Sequence, residues 1–336
     1  MLAPCVTVVI PTLTADDTLV ECVRSLEAQS RRDFEVIIVD NSGQQLVRRR
    51  KAAGERATVI ENTVNAGFGG AINQAFHQSS APFLATLNDD AVADPNWVAS
   101  LMAAVEKRPD VGMWASQVRL FPSGKLDSAG MLVSGDGSSK QRGHLGNPTE
   151  YGELEEALLP SGSAALYRRK MLEEIGLFDE DFFLYCEDTD LGLRARWAGW
   201  KCLYVPAAIV DHHYSHSAGR VSSLKAYYVE RNRLFAALKN FPLSMLLAAP
   251  GYAAVRYFWH VAMMFQGKGA AAEYRQSGSG LTLLWLVLKA HAAAIGRLPA
   301  LLRQRRQIRK NARMTAAEFS KLLAAYSISP RQVASL

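Results

Sequence analysis

Over the first 110 residues, short apolar β-branched runs alternate with helical segments, and that rhythm admits few folds. Residues 6–10 form one apolar run, ended by Pro11, and residues 34–39 form a second, ended by Asp40-Asn41-Ser42-Gly43. Residues 58–60 read as a short third strand and 83–87 as a fourth, which stops at Asn88-Asp89-Asp90. The intervening segments are helical. Residues 16–29 place Leu19, Cys22, Val23 and Leu26 on one face, 67–77 start on glycines, and 95–107 start on a proline. Near-continuous apolar strands separated by helices require an α/β architecture, a mostly parallel sheet with helices on both faces. Ligands of such sheets bind at the carboxyl ends of the strands. Asp40 and the pair Asp89-Asp90 fall at such ends.

Beyond residue 110 the pattern loosens. Strands are expected at 111–121, 164–168 and 202–205, and helices at 170–175, 188–199 and 225–240; the Gly/Ser-rich stretch 134–148 reads as a mobile loop near the site. Residues 243–265 and 281–302 are strongly apolar and long enough to cross a bilayer. The first carries Arg256, His260 and a Pro250-Gly251 break, and the second carries Lys289, His291 and Arg297, which favours helices lying in the membrane interface. The run 303–310 adds five positive charges to a chain whose net charge is only +6. Such a run suits anionic headgroups, or else a solvated helix face. Nucleic acid is set aside because no recognition motif accompanies it. The expected division is a domain over 1–240 in two parts, about 1–110 and 111–240, then a helical region over 241–336. The four cysteines, at 5, 22, 186 and 202, form no CxxC pair, which fits a reducing cytoplasm, and the N-terminus shows no signal peptide.

Five clusters carry chemistry. Asp89 and Asp90 would repel each other in a cleft unless a cation sat there, and hard divalent ions take carboxylate oxygen and diphosphate together. The alternative is a plain strand end. Glu187-Asp188-Thr189-Asp190 opens a helix after Phe182-Phe183-Leu184-Tyr185. Acids suit a first helical turn, but a partly desolvated one could also act as a general base. Asp211-His212-His213-Tyr214-Ser215-His216 packs three of the seven histidines into five residues, a donor set suited to Mn²⁺ beside carboxylates. Asn65-Ala66-Gly67-Phe68-Gly69-Gly70 opens a helix and could cradle phosphate on backbone N–H groups. Arg231-Asn232-Arg233 offers guanidinium groups for a second anion, although only one of the two arginines can face a given site.

Taken in order, Val9-Ile10-Pro11-Thr12, Val39-Asp40-Asn41-Ser42, Asn65-Ala66-Gly67-Phe68, Leu87-Asn88-Asp89-Asp90, Gly162-Ser163-Ala164, Phe178-Asp179-Glu180-Asp181-Phe182-Phe183 and Glu187-Asp188-Thr189-Asp190-Leu191 resemble a family 2 inverting glycosyltransferase of GT-A fold, in its bacterial rhamnosyltransferase branch. The resemblance covers about residues 5–235. It implies donor-nucleotide contacts from Pro11, Thr12, Asp40, Asn65, Gly67, Asn88 and Asp89. Asp90 matches the last acid of the DxD metal motif, and Asn88 stands where the first acid is expected. His212 matches a later ligand of the Mn²⁺ or Mg²⁺ ion, as in galactofuranosyltransferases, which also carry an Arg-Asn-Arg segment. Asp188 matches the catalytic base, and acceptor contacts are implied for Gly162, Ser163, Glu187 and Arg231. The resemblance implies a nucleoside-diphosphate sugar as donor, dTDP-rhamnose first and another UDP- or GDP-sugar next. With the apolar tail it implies a glycan or polyprenyl-diphosphate-linked acceptor at the cytoplasmic face of the membrane. A homodimer stays open. The other classes that fit the acids are a nucleotidyltransferase, though residues 11–16 lack its Gly-rich basic loop, and a non-catalytic nucleotide- or glycan-binding protein.

Overall fold

The computed structural model describes residues 3–106, 108–213, 222–267 and 280–335, which excludes Lys107 of the expected helix 95–107. The chain forms two compact units, one from the described parts of 1–131, 141–183 and 200–217, the other from 132–140, 184–199 and 218–336.

The first unit is the expected α/β sheet. Its elements are β1 (Val6–Thr12), α1 (Asp17–Glu27), β2 (Phe34–Asp40), α2 (Leu46–Arg50), β3 (Ala57–Glu61), α3 (Gly67–Gln78), β4 (Phe83–Leu87), β5 (Ala91–Ala93), α4 (Trp97–Glu106), β6 (Val111–Leu120), β7 (Leu126–Ser128), β10 (Glu155–Ala157), β11 (Ala164–Arg168), α5 (Arg169–Ile175) and β12 (Lys201–His212). The strand order is β10-β12-β6-β11-β4-β1-β2-β3. Strands β4, β1, β2 and β3 are parallel, as are β6 and β12, while β11 runs antiparallel between β4 and β6. Two antiparallel steps leave β6 and β12 pointing the same way as β1 and β4, so all their carboxyl ends share one edge.

Register along that edge follows from burial. Val6, Val8, Val9 and Ile10 of β1 are fully buried, as are Leu84, Ala85 and Leu87 of β4. Each such Val, Ile or Leu contributes about 1.5–3 kcal/mol. A one-residue slip would swap every side chain to the opposite covered face and break the packing on both, so the apolar pattern fixes where Thr12, Asp40 and Asn88 end up. Helix α1 buries the predicted stripe of Leu19, Cys22, Val23 and Leu26 and is capped by Asp16, which accepts from Thr18 N–H at 3.2 Å.

Three expectations change. Strand β12 extends well past residue 205, through a register shift between Val205 and Ile209, to His212. The stretch 134–148 is tied down rather than mobile. Ser134, Asp136 and Ser138 are buried, β8 (Met131–Val133) pairs with β9 (Ser139–Gln141), and backbone bonds join Leu145 N–H to Leu126 O and Leu126 N–H to Gly146 O. Pro250-Gly251 does not break its helix.

The second unit contains α6 (Glu187–Trp197), α7 (Ser223–Asn240), α8 (Leu243–Phe265), α9 (Gly280–Lys310), α10 (Ala316–Ala325) and α11 (Pro330–Ser335). Proline interrupts neither α8 at Pro250 nor α9 at Pro299. Tertiary anchors offset the missing hydrogen bond. In α8 the anchor is Arg256, whose Nε meets Asp136 Oδ2 at 2.5 Å and whose Nη2 meets Glu230 Oε2 at 2.9 Å. In α9, Ala290, Ala294 and Leu301 are buried. The basic run divides by face. Arg305 donates to Leu238 O and Phe241 O, and Arg309 to Asn240 O, so these two cap the carboxyl end of α7. Arg303, Arg306 and Lys310 are exposed.

Candidate active site

The acidic pair that ends β4 divides its labour. Asp89 turns to the end of β1, where the Thr12 hydroxyl donates to Asp89 Oδ2 at 2.6 Å. Burial pushes the Asp89 carboxyl up to about 6; the Thr12 hydrogen bond opposes this, and the charges of Asp90 and Asp16 add to it. Asp90 turns to the end of β12, with Oδ1 3.0 Å from His212 Nε2. The two are brought together by backbone pairing. Strand β5 follows Asp90 directly and pairs Ala91 with His212, and His213 N–H donates to Asp90 O at 2.8 Å. Asn88 Nδ2 lies 3.3 Å from the same His212 nitrogen. Burial alone would depress the His212 imidazolium, but hydrogen bonds to Asp127 and Asp90 outweigh it and hold the group up to about 10.

Other predicted residues line the same edge. Ser163 O accepts from Asn88 N–H at 2.9 Å, so Gly162-Ser163, at the head of the antiparallel β11, lies beside the strand end of β4. Pro11 pairs with Val39. Asp40 is buried at the end of β2 with both oxygens engaged, Oδ1 by Ser42 N–H and Oδ2 by Val47 N–H, each at 2.9 Å. Asn65 Oδ1 accepts from Gly67 N–H at 2.8 Å and starts α3. Gly67 has φ +74°, and a Cβ there would collide with the Phe183 carbonyl, so only glycine fits. Tyr214, Ser215 and His216 lie outside the described residues.

Two residues of this corner carried no signal in the sequence, Asp127 and His144. Asp127 Oδ2 is 3.1 Å from His212 Nδ1, and its Oδ1 is 3.0 Å from His144 Nδ1. Among the described residues no group of three or more His, Cys, Asp or Glu side chains converges as a metal cage. One carboxylate oxygen facing one imidazole nitrogen, both buried, suits instead a divalent ion that completes its shell with diphosphate and water.

The second unit holds the other acids. Tyr185 and Cys186, with φ +69° and +65°, lead left-handed into α6. Such conformations persist where surrounding structure holds them, and they gather at functional sites. Here Asn232, wholly buried, donates from Nδ2 to Leu184 O at 2.8 Å and Tyr185 O at 2.7 Å. Glu187 is buried with Oε2 lacking a hydrogen-bond partner, and burial, then the Asp188 charge, pushes its carboxyl up to about 8. Asp188 is half-buried and accepts from Thr189 N–H at 2.6 Å. Asp190 is structural; its carboxylate meets Arg194 Nε and Lys239 Nζ at 2.8 Å each. Of the two arginines only Arg231 reaches the surface of α7. Arg233 is buried against Glu230 and Asp136.

The α/β sheet with this carboxyl-edge corner is the GT-A arrangement, and the class it defines is that of nucleotide-sugar glycosyltransferases. Its fold is that of GalNAc-T7, solved with UDP, GalNAc and Mn²⁺, with TM-score 0.57 and 18% identity, over 71% of this chain and 48% of that one. The chain belongs to glycosyl transferase family 2, whose model matches residues 7–176, half of the sequence. It is 29% identical over 233 residues to the N-acetylglucosaminyl-diphospho-decaprenol L-rhamnosyltransferase of Mycobacterium tuberculosis, covering 61% of this chain and 75% of that protein. It is 29% identical over 234 residues to the O-antigen biosynthesis protein RfbC of Myxococcus xanthus, covering 64% of this chain but only 18% of that protein. The chain is thus a glycosyltransferase of the rhamnosyltransferase-like branch.

Proposed function

We propose that this enzyme transfers a sugar, L-rhamnose from dTDP-rhamnose first among the candidates, onto a polyprenyl-diphosphate-linked sugar, with inversion and with Mn²⁺ or Mg²⁺. Galactofuranosyl or another UDP- or GDP-sugar is the second choice of donor. The observation that carries the reading is the Asp90–His212 pair at 3.0 Å, set on the sheet edge where Asp89 and Thr12 also meet. Relatives named for rhamnosyl transfer to a diphospho-decaprenol sugar support the choice of substrates. Asp90 and His212 would hold the ion, which when bound neutralises charge on the departing diphosphate.

The chain's own groups do the rest. Pro11, Thr12, Asp40, Asn65, Gly67, Asn88 and Asp89 take the donor nucleotide, and Gly162, Ser163, Glu187 and Arg231 take the acceptor. Asp188 accepts the proton of the acceptor hydroxyl. The bond from that oxygen to the anomeric carbon forms while the bond from carbon to diphosphate oxygen breaks, and the electron pair leaves with the diphosphate. The apolar helices α8 and α9 keep the enzyme on the cytoplasmic face of the membrane, where such an acceptor resides. The proposed division of labour is a catalytic domain over 1–240 and a membrane-associating region over 241–336.

A thermal-shift panel of dTDP, UDP and GDP with and without Mn²⁺ tests the reading. A nucleotide at a hundred times its Kd stabilises by about 2.7 kcal/mol. The dTDP–Mn²⁺ pair should give the largest shift, and Asp90→Ala should remove the metal-dependent part. Asp188→Asn should cut turnover by roughly 10²–10⁴-fold while nucleotide binding persists. Equal shifts with and without metal would remove the metal from the mechanism.

A further inference from the structure

Asp127 reaches its place through an irregularity in the sheet. Strand β7 runs antiparallel to β6, pairing Val118 with Ser128 and then Arg119 with Leu126, so Asp127 is an extra residue with no partner on β6. A bulge of this kind gives up ladder pairing and re-aims one side chain. Here the side chain is a carboxylate, 2% exposed, and both its oxygens are engaged by imidazoles. A buried carboxylate is costly unless fully paired, and an apolar residue on an ordinary strand would fill the space at less cost. The arrangement therefore asks for a use beyond packing.

That use is visible in what lies on the far side of His212. Asp127 Oδ2 takes the Nδ1 side of the ring at 3.1 Å, while Nε2 faces Asp90 Oδ1 at 3.0 Å. Asp127 can only accept, so it keeps the ring proton on Nδ1, and a cation shared between Asp90 and the ring would have to take the Nε2 lone pair. The two contacts on opposite sides also stop the ring from turning. Asp127 is itself held. His144 Nδ1 lies 3.0 Å from its Oδ1 and 3.3 Å from its backbone carbonyl.

We propose that Asp127, clamped by His144, is a positioning residue that fixes the His212 tautomer and ring angle and so presents Nε2 to the divalent ion. The inference rests on the reading that Asp90 and His212 hold that ion. A carboxylate behind a ligating imidazole raises its donor strength and orients it, and losing such a partner lowers metal affinity by roughly 10–100-fold.

The test is Mn²⁺ binding to the full chain, followed by electron paramagnetic resonance, for wild type, Asp127→Asn, His144→Phe and Asp90→Ala. A second readout is the ¹⁵N signature of the His212 ring with saturating Mg²⁺, which reports the protonated nitrogen directly and which a merely structural residue would leave unchanged. Asp127→Asn should weaken Mn²⁺ binding by roughly 10–100-fold and lose the uniform Nδ1–H signature. His144→Phe, which removes the clamp behind Asp127, should weaken binding in the same direction by less, and it serves if the Asp127 variant does not fold. Wild-type Mn²⁺ affinity and an unchanged Nδ1–H signature in both variants, with Asp90→Ala impaired, would overturn the role of Asp127 alone. Unchanged binding in Asp90→Ala would overturn the metal assignment beneath it.

Discussion

Two adjacent acids at the start of α6 occupy different environments, and the difference is energetic. Glu187 is sealed from water with one oxygen unpartnered, so its carboxyl is pushed up to about 8, whereas Asp188 is half-buried and bonded to Thr189 N–H. A folded-state value above the unfolded value of about 4.5 means folding favours the protonated form. The stabilisation is complete below about pH 4.5 and is lost as pH rises through 8. Unfolding by urea between pH 5 and pH 9 should therefore show wild type losing on the order of a few kcal/mol relative to Glu187→Gln. Parallel profiles for the two proteins would refute the assignment. The sequence shows three acids in four positions and no more. Which of them is sealed, which is half-buried and which, as Asp190, is neutralised depends on the folded chain, with Arg194 one turn on and Lys239 49 residues downstream.

At the scale of elements, the strand ends of β1, β2 and β4 were legible because each strand is an unbroken apolar run closed by a polar residue. Strand β12 was not. Pro206 and the register shift after Val205 disguise its second half, which carries His212 to Asp90. Asp127 was hidden more deeply, since a three-residue strand has no periodicity and its bulge exists only in the pairing with β6. Asp190 shows the same dependence on partners. It joins α6 to the end of α7 through Lys239 Nζ at 2.8 Å and Asn240 Nδ2 at 2.9 Å, while holding Arg194 within its own helix. Burial alone would raise its carboxyl, but Lys239 and Arg194 hold it below the usual carboxylate range. Replacing it by alanine leaves two buried cations uncompensated, which costs about 3–5 kcal/mol. The expected outcome is a urea midpoint lowered accordingly in Asp190→Ala. A loss under 1 kcal/mol would mean that water reaches the cations.

For the whole molecule, the excess of positive charge and the apolar tail bear on one question, where the enzyme works. Helix α9 over Leu281–Lys310 is long and apolar enough to cross a membrane by length and composition. Its exposed positions form one stripe, however, with Leu281, Leu284, Leu288, Ile295 and Leu302 leading into Arg306 and Lys310. On α8, Leu243, Leu247, Phe258 and Phe265 are exposed as well. A one-sided apolar stripe that ends in basic residues suits a helix lying in the headgroup region better than one surrounded by acyl chains. The division of the basic run gives this reading a sharp test. Each arginine near an anionic surface contributes about 1 kcal/mol, so Arg303→Ala with Arg306→Ala should weaken binding to phosphatidylglycerol vesicles by roughly 30-fold. The melting point should not change, because both side chains are exposed. Arg305→Ala should do the reverse, lowering the melting point because Leu238 O and Phe241 O lose their donor, with vesicle binding nearly intact. Vesicle co-sedimentation and a melting curve on the same samples read both effects. If the exposed pair proved indifferent to lipid charge while Phe258→Ser or Leu284→Ser released the protein, attachment would be purely apolar and the basic face would have no part in it.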